Sequence, residues 1–301
     1  MARVSARALI RQGVSTSRAL MSRQDQIWSR YSHDKVDIGE TLARVLRALA
    51  KALPLERPLR ALSVGSSTEP QFRLLEANFR GGLYLLDIEQ AALDVIRERI
   101  RRQAVTHVFT LRDDYTKIFL DRERTRRFRR ERLGDKRLEL VAFEHSLYYC
   151  PADRWQSILA NVFDVLLAPT GAIHCVMMAA RADDRATTTW LYNHYAGRFF
   201  GHRNDQDLRA FADEARRRRF FGAAQILAKT DRVRFQVDDF RALMSVVWMI
   251  LLYPHVHRYS PPERREITTD VYRNLFQKGR PLFQDQDHVV IYKGVRGRGL
   301  I

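Results

Sequence analysis

The chain has 301 residues, 46% of them hydrophobic, and a formal net charge of +17 from 52 lysines and arginines against 35 aspartates and glutamates. That apolar fraction supports one large or two small buried cores and excludes a disordered chain, while two cysteines exclude a disulfide framework. The positive balance raises the weight of an anionic partner without requiring one.

The first 23 residues hold five arginines, four serines and no acid. This composition suits a basic tail on a cytoplasmic protein, or a transit peptide that would direct the chain to the mitochondrial matrix. Cytoplasm is the expectation. Cys150 and Cys175 have no metal-ligand spacing, so no metal site is expected. The longest apolar run, 242–253, is shorter than the roughly 20 residues of a bilayer span; it predicts a buried core helix and no membrane partner.

Taken in order, the chain divides into a basic N-terminal tail (1–30), a helical segment (31–57), a cofactor-binding core (58–180), a C-terminal part of the sheet with a helical substrate cap (181–295) and a short tail (296–301). Apolar residues at helical spacing from 36 to 53, closed by Pro54 and Pro58, predict the first helix. Strands are predicted at 59–64, 82–86, 105–111, 138–143 and, after a turn at Pro169-Thr170-Gly171, 172–178. Helices at 69–78, 88–102, 121–137 and 152–167 alternate with them. Such alternation implies right-handed crossovers and a parallel sheet covered on both faces. Further helices are expected at 187–199, 205–218, 237–252 and 262–276, with late strands at 224–230 and 288–293 forming an antiparallel edge. The fold class is therefore α/β: a Rossmann-like, doubly wound, mostly parallel sheet with an antiparallel C-terminal edge and a helical cap.

In such sheets ligands bind just beyond the carboxyl ends of the strands, where strand order reverses. After the first strand comes Gly65-Ser66-Ser67-Thr68, a small-residue turn leading into a helix whose amides can receive an electronegative group. With one glycine only, it fits a nucleoside better than a dinucleotide; the plain alternative is a tight turn with no ligand. Asp87 ends the second strand about twenty residues on, the spacing at which an acid accepts ribose hydroxyls, although an acid there also caps a helix. Ile88 follows it. Beyond the third strand lie Asp113, Asp114 and Thr116, and beyond the fourth Glu144, His145, Tyr148 and Tyr149. The arginine-rich stretch 121–137 interleaves acids at spacings of three and four, as a solvated helix with internal ion pairs does.

The order ALSVGSSTEP, LYLLDIEQAALDVIRERI, FTLRDDYTKIF, LELVAFEHSLYYCP and FDVLLAPTGAIHCVMM resembles the class I S-adenosylmethionine-dependent methyltransferases, and within them histamine N-methyltransferase and related small-molecule enzymes. The resemblance implies that Gly65, Ser66 and Ser67 hold the cofactor, that Asp87 and Ile88 meet its ribose side, and that Asp113, Asp114, Thr116 and Glu144 approach adenine and the methionyl portion. It places Asp34, His145 and Asp285 at the substrate; the aromatic Tyr149 after the fourth strand is a candidate wall of the acceptor pocket. The family's second motif glycine is a serine here.

Methyl transfer from a sulfonium needs orientation of the acceptor more than covalent catalysis. His145 is the expected acid–base group, since an imidazole titrates near neutrality, and Tyr148 is expected beside it. The expected reaction is methylation of a small amine or hydroxyl acceptor by S-adenosylmethionine; RNA methylation along the arginine-rich surface is the alternative, with nucleic acid the second choice of partner. The protein is expected as a monomer or a homodimer.

Overall fold

The computed structural model describes residues 5–54, 56–65, 70–252 and 257–295. Helices α1 (Ala6–Ser15), α2 (Met21–Tyr31) and α3 (Asp34–Ala52) precede the alternating part, β1 (Arg60–Val64), α4 (Pro70–Asn78), β2 (Gly82–Asp87), α5 (Gln90–Arg102) and β3 (Val108–Arg112). Then come α6 (Tyr115–Ile118), α7 (Arg122–Arg132), β4 (Leu138–Glu144), α8 (Trp155–Asn161) and β5 (Leu167–Met178). The remainder is α9 (Thr188–Phe200), α10 (Leu208–Arg218), β6 (Gln225–Phe235), α11 (Phe240–Leu252), α12 (Pro261–Val271) and β7 (Leu282–Lys293). The seven strands lie in the order β3-β2-β1-β4-β5-β7-β6. Pairs from β3 through β5 are parallel, and the late strands make the sheet mixed, as expected.

By contact density the chain forms two compact units, one from 1–34, 178–205 and 231–286, the other from 35–177, 206–230 and 287–301. In the second, the sheet separates two cores. On one face α3 contributes Ile38, Leu42, Val45 and Leu49, each fully buried, against Leu83 and Leu85 of β2 and Leu140 of β4. Their spacing of three and four puts them on one stripe, and burying four such side chains is worth on the order of 10 kcal/mol before conformational entropy is subtracted. On the other face Phe128 of α7, Trp155, Ile158 and Leu159 of α8 and Leu208 of α10 cover Leu62, Val141 and Phe143.

The helix expected over 121–137 ends at Arg132 and the strand expected over 224–230 runs to Phe235; two further differences of boundary have a local cause. The predicted turn at 169–171 is part of a continuous β5, and its disturbance is absorbed as a register shift against β4 between Leu138 and Leu140. The strand predicted at 288–293 starts at Leu282, because Gln284, Gln286 and Asp287 are buried polar residues with no hydrophobic signal.

In the first unit α11 is buried almost all round, the pattern of a core helix, and packs on α1, α2 and α9. No helix among the described residues is long and apolar enough to cross a membrane. The stretch read as a tail carries α1 and α2; Trp28 stacks on Phe235 at 5.6 Å and Trp248 Nε1 donates to Gly13 O at 3.0 Å. A Cβ on Gly13 would stand 2.7 Å from Thr268, 2.8 Å from Phe240 and 2.9 Å from Met244. Gly13→Val is therefore expected to lower stability by about 1–3 kcal/mol through overpacking, read as a lower melting temperature. Wild-type melting would mean that α1 can shift away without loss.

Candidate functional site

The carboxyl ends of five adjacent strands form a rim in the second unit. Main-chain bonds continue the ladders past the strand ends: Gly65 N to Leu86 O at 2.8 Å, Asp113 N to Asp87 O at 3.1 Å and His145 N to Val176 O at 2.9 Å. Gly65, Asp87, Asp113 and Glu144–His145 are thus brought together, as the pattern of strands predicted. β1 lies between β2 and β4, the point where strand order reverses and where such sheets open a crevice.

Gly65 has φ +70, left-handed backbone that glycine adopts without cost. A Cβ there would lie 2.7 Å from Ser146 Cβ, so the turns after β1 and β4 touch only because this residue has no side chain. Ser146 is buried, and its Oγ has no hydrogen-bond partner among the described residues. A buried hydroxyl left unpaired costs about 1–3 kcal/mol, which a ligand group placed there would recover. Ser66, Ser67 and Thr68 lie outside the described residues.

Asp87 is half-buried, and burial is the main cause holding its carboxyl above the usual range, while its bond from the Glu89 amide at 2.8 Å works the other way. The carboxylate can still accept hydroxyl donors. Ile88 is exposed. Asp113 is exposed and takes the Asp114 amide at 2.9 Å. Asp114 and Thr116 are committed to each other: the Asp114 carboxylate caps α6, accepting from Thr116 N at 3.0 Å and Thr116 Oγ1 at 2.6 Å. Tyr115, which the sequence did not single out, is buried and donates its hydroxyl to Ser146 O at 2.8 Å.

His145 occupies left-handed backbone at φ +53, a strained state for a side-chain-bearing residue that costs of order 1 kcal/mol or more. Its ring stacks on Tyr148 with centroids 6.0 Å apart and planes at 10°, and Nδ1 lies 3.3 Å from the Tyr148 hydroxyl. Gln206, from a distant part of the sequence, donates through Nε2 to Tyr148 O at 3.2 Å and Cys150 O at 3.0 Å and so fixes this turn. Tyr149 is 51% exposed.

Two expected substrate residues belong to the other unit. Asp34 is fully buried. Asp285 is engaged on both oxygens by Arg232, at 2.7 Å from Nε and 2.9 Å from Nη2.

No family model and no curated protein sequence matches the chain. Among solved structures, a protein from Bacillus halodurans described as a candidate methyltransferase superposes with a TM-score of 0.51 at 14% identity, covering 82% of this chain and 98% of that one. The YcgJ protein from Bacillus subtilis gives 0.51 at 13%, covering 85% and 99%. At these identities the likeness speaks to architecture, and it shows that the chain has the Rossmann-like fold of the methyltransferases.

Proposed function

We propose that the chain methylates a small amine or hydroxyl acceptor with S-adenosylmethionine by in-line displacement. The observation that carries the reading is the conjunction, on adjacent strand ends, of the Gly65 turn, the half-buried Asp87 carboxylate and the unpaired Ser146 hydroxyl. The residues fit such a cofactor. Asp87 would take the ribose hydroxyls, Ile88 would cover a ring face, the turn beginning at Gly65 would approach the methionyl part, and Asp113 and Glu144 would serve its polar ends. Bound S-adenosylmethionine supplies an electrophilic methyl group. Asp114 and Thr116 would support the rim through the α6 cap rather than touch the ligand.

The chain's own contribution is to orient the acceptor and take its proton. His145, with Nδ1 3.3 Å from the Tyr148 hydroxyl, is the group that would take the proton of an acceptor N–H or O–H. The stacked Tyr148 holds the ring in that orientation, and Tyr149 would line the acceptor side. The narrower resemblance to the histamine N-methyltransferase group supports an amine. An RNA acceptor along α7 is less well supported, since Arg122, Arg126, Arg129 and Arg130 pair with Asp164, Glu123 and Asp135, as a solvated helix does.

A thermal-shift measurement with S-adenosylmethionine and S-adenosylhomocysteine tests the reading. A ligand at a hundred times its Kd stabilises the native state by about 2.7 kcal/mol, so a clear rise in melting temperature is expected; no rise with either compound would overturn it. In a screen of amines, phenols and tRNA, His145→Gln is expected to lower kcat roughly 100-fold or more with cofactor affinity kept. Replacing Arg124, Arg126 and Arg127 with glutamine is expected to leave turnover of a small acceptor unchanged, and a loss of activity on tRNA alone would favour RNA.

A further inference from the structure

β3 is an edge strand, and its main-chain orientation is fixed by its bonds to β2. Leu83 N donates to His107 O and Asp113 N to Asp87 O, so odd-numbered residues of this strand turn their peptide groups inward. By the two-residue period of a strand, Val108, Thr110 and Arg112 turn theirs toward the open edge. Proteins usually blunt such an edge, because a row of outward N–H and C=O groups is a template for another strand.

This edge forms the floor of a groove of about 540 Å³. One wall comes from α5, with Arg97 and Arg101; the other comes from the end of α7 and the turn after it, with Arg132 and Lys136. Phe109, 44% exposed, stacks on Tyr84 at 5.2 Å within it. Arg97 and Arg101 form ion pairs with Asp94 and Glu98 on their own helix, exposed contacts of small worth that a better partner displaces, and Arg97 Nε also donates to Thr110 Oγ1 of β3 at 2.8 Å. Arg132 and Lys136 have no ion pair among the described residues. The groove is lined along β3 from Val108 to Leu111, and neither Asp87 nor Asp113 lines it.

We propose that an extended acidic segment of a partner protein docks here as an eighth strand on β3. Its main chain would pair with Val108, Thr110 and Arg112, and its alternate side chains would meet the arginines of α5 on one face and Arg132 and Lys136 on the other. Strand addition gives affinity through main-chain bonds and specificity through the side chains on either face. A second copy of this chain would bring the same positive rim against itself. A nucleic acid strand would meet the cations but leave the outward peptide groups without partners. The proposal is independent of methyl transfer.

Fluorescence anisotropy on the full chain tests it with a labelled eight-residue peptide of the repeat Glu-Glu-Val-Val, which as a strand presents glutamate to both walls. Saturable binding is expected. The same peptide with a central proline, which keeps every charge but cannot pair as a strand, is expected to bind at least tenfold more weakly. Arg132→Glu with Lys136→Glu is expected to weaken the parent peptide about tenfold, while Arg265→Glu with Arg273→Glu, an equal charge change on exposed residues of α12 and the turn after it, is expected to change it less than twofold. Amide exchange at Val108, Thr110 and Arg112 is expected to slow on peptide addition. Equal binding of the proline peptide, equal loss in both charge-reversed variants, or tighter binding of a twelve-nucleotide uridine oligomer that displaces the peptide would each overturn strand docking. The melting-temperature rise with S-adenosylmethionine is expected to persist in the Arg132/Lys136 variant, so failure of the docking surface and failure of the cofactor reading are separable.

Discussion

Asp87→Ala is expected to weaken S-adenosylmethionine binding about 10- to 100-fold, measured by isothermal titration calorimetry, with the fold intact. A carboxylate accepting from both ribose hydroxyls makes charge-assisted hydrogen bonds worth about 1.5–3 kcal/mol, and each 1.4 kcal/mol is tenfold in Kd. Its other visible duty is to accept the Glu89 amide just before α5, a local side-chain-to-backbone bond whose loss costs about 1 kcal/mol. Asp87→Asn keeps an acceptor for that amide and removes the charge, so its affinity should fall between wild type and alanine. The pH dependence has a definite sign. Burial raises this carboxyl above its ordinary value, so affinity that depends on the carboxylate is lost, as pH falls, before an ordinary aspartate would protonate. For the unliganded protein the same shift acts the other way: a folded-state pKa above the unfolded one contributes stability at low pH that disappears as pH rises through the folded value. Wild-type affinity in Asp87→Ala would remove the residue from the site and leave the Gly65 turn without a nucleoside to face.

The sheet was legible because its strands are apolar runs punctuated by small or charged residues. LRALSV and GLYLL announced β1 and β2, and buried parallel strands must read that way when helices cover both faces. Rim residues followed from the same pattern, since a strand's end is also where a ligand-facing residue stands. The rest was hidden for a physical reason: it depends on contacts between residues distant in sequence. Ser146 matters because Gly65 abuts it, Gln206 because it spans to the turn at Tyr148, and neither relation has a local signature. β7 was half missed because its buried Gln284, Gln286 and Asp287 find polar partners; Asp287, for example, accepts from Thr230 at 2.6 Å. The first thirty residues were read from composition, which reported their arginines and passed over Trp28 and the close approach at Gly13. Asp114 and Thr116 have the right residue types at the right place, yet their side chains satisfy each other, a distinction only geometry can draw.

A buried histidine pair joins two strands in the sheet core. His174 of β5 and His288 of β7 stack with centroids 5.5 Å apart; His288 Nε2 lies 2.8 Å from Asp37 Oδ2, and His174 Nε2 lies 3.3 Å from His288 Nδ1. If His288 donates through Nε2 to the carboxylate, its Nδ1 accepts from His174 Nε2–H, and His174 Nδ1 is left buried with no partner among the described residues. Protonating that nitrogen would add a cation and an N–H with nowhere to go. Burial first, then the charges of His288 and Lys229, hold the His174 pKa well below its usual value, against the opposing pull of Asp37. The unfolded chain, with an imidazole near pH 6.5, therefore binds the extra proton more readily. Stability is fully present above that pH and is lost as pH falls below it, at about 1.4 kcal/mol per pH unit until the folded-state value is reached. Between pH 7.5 and 5.5 the loss from this one residue should be roughly 1.4 kcal/mol. Urea unfolding across that window stays above the ordinary carboxylate range, although the raised Asp87 and Asp287 contribute with opposite sign toward its acid end. His174→Gln retains a donor toward His288 and removes the titration, so its stability should be flatter with pH by that amount. An unchanged pH slope in the glutamine variant would mean that the His174 nitrogen is satisfied in solution and that the buried pair carries no acid sensitivity.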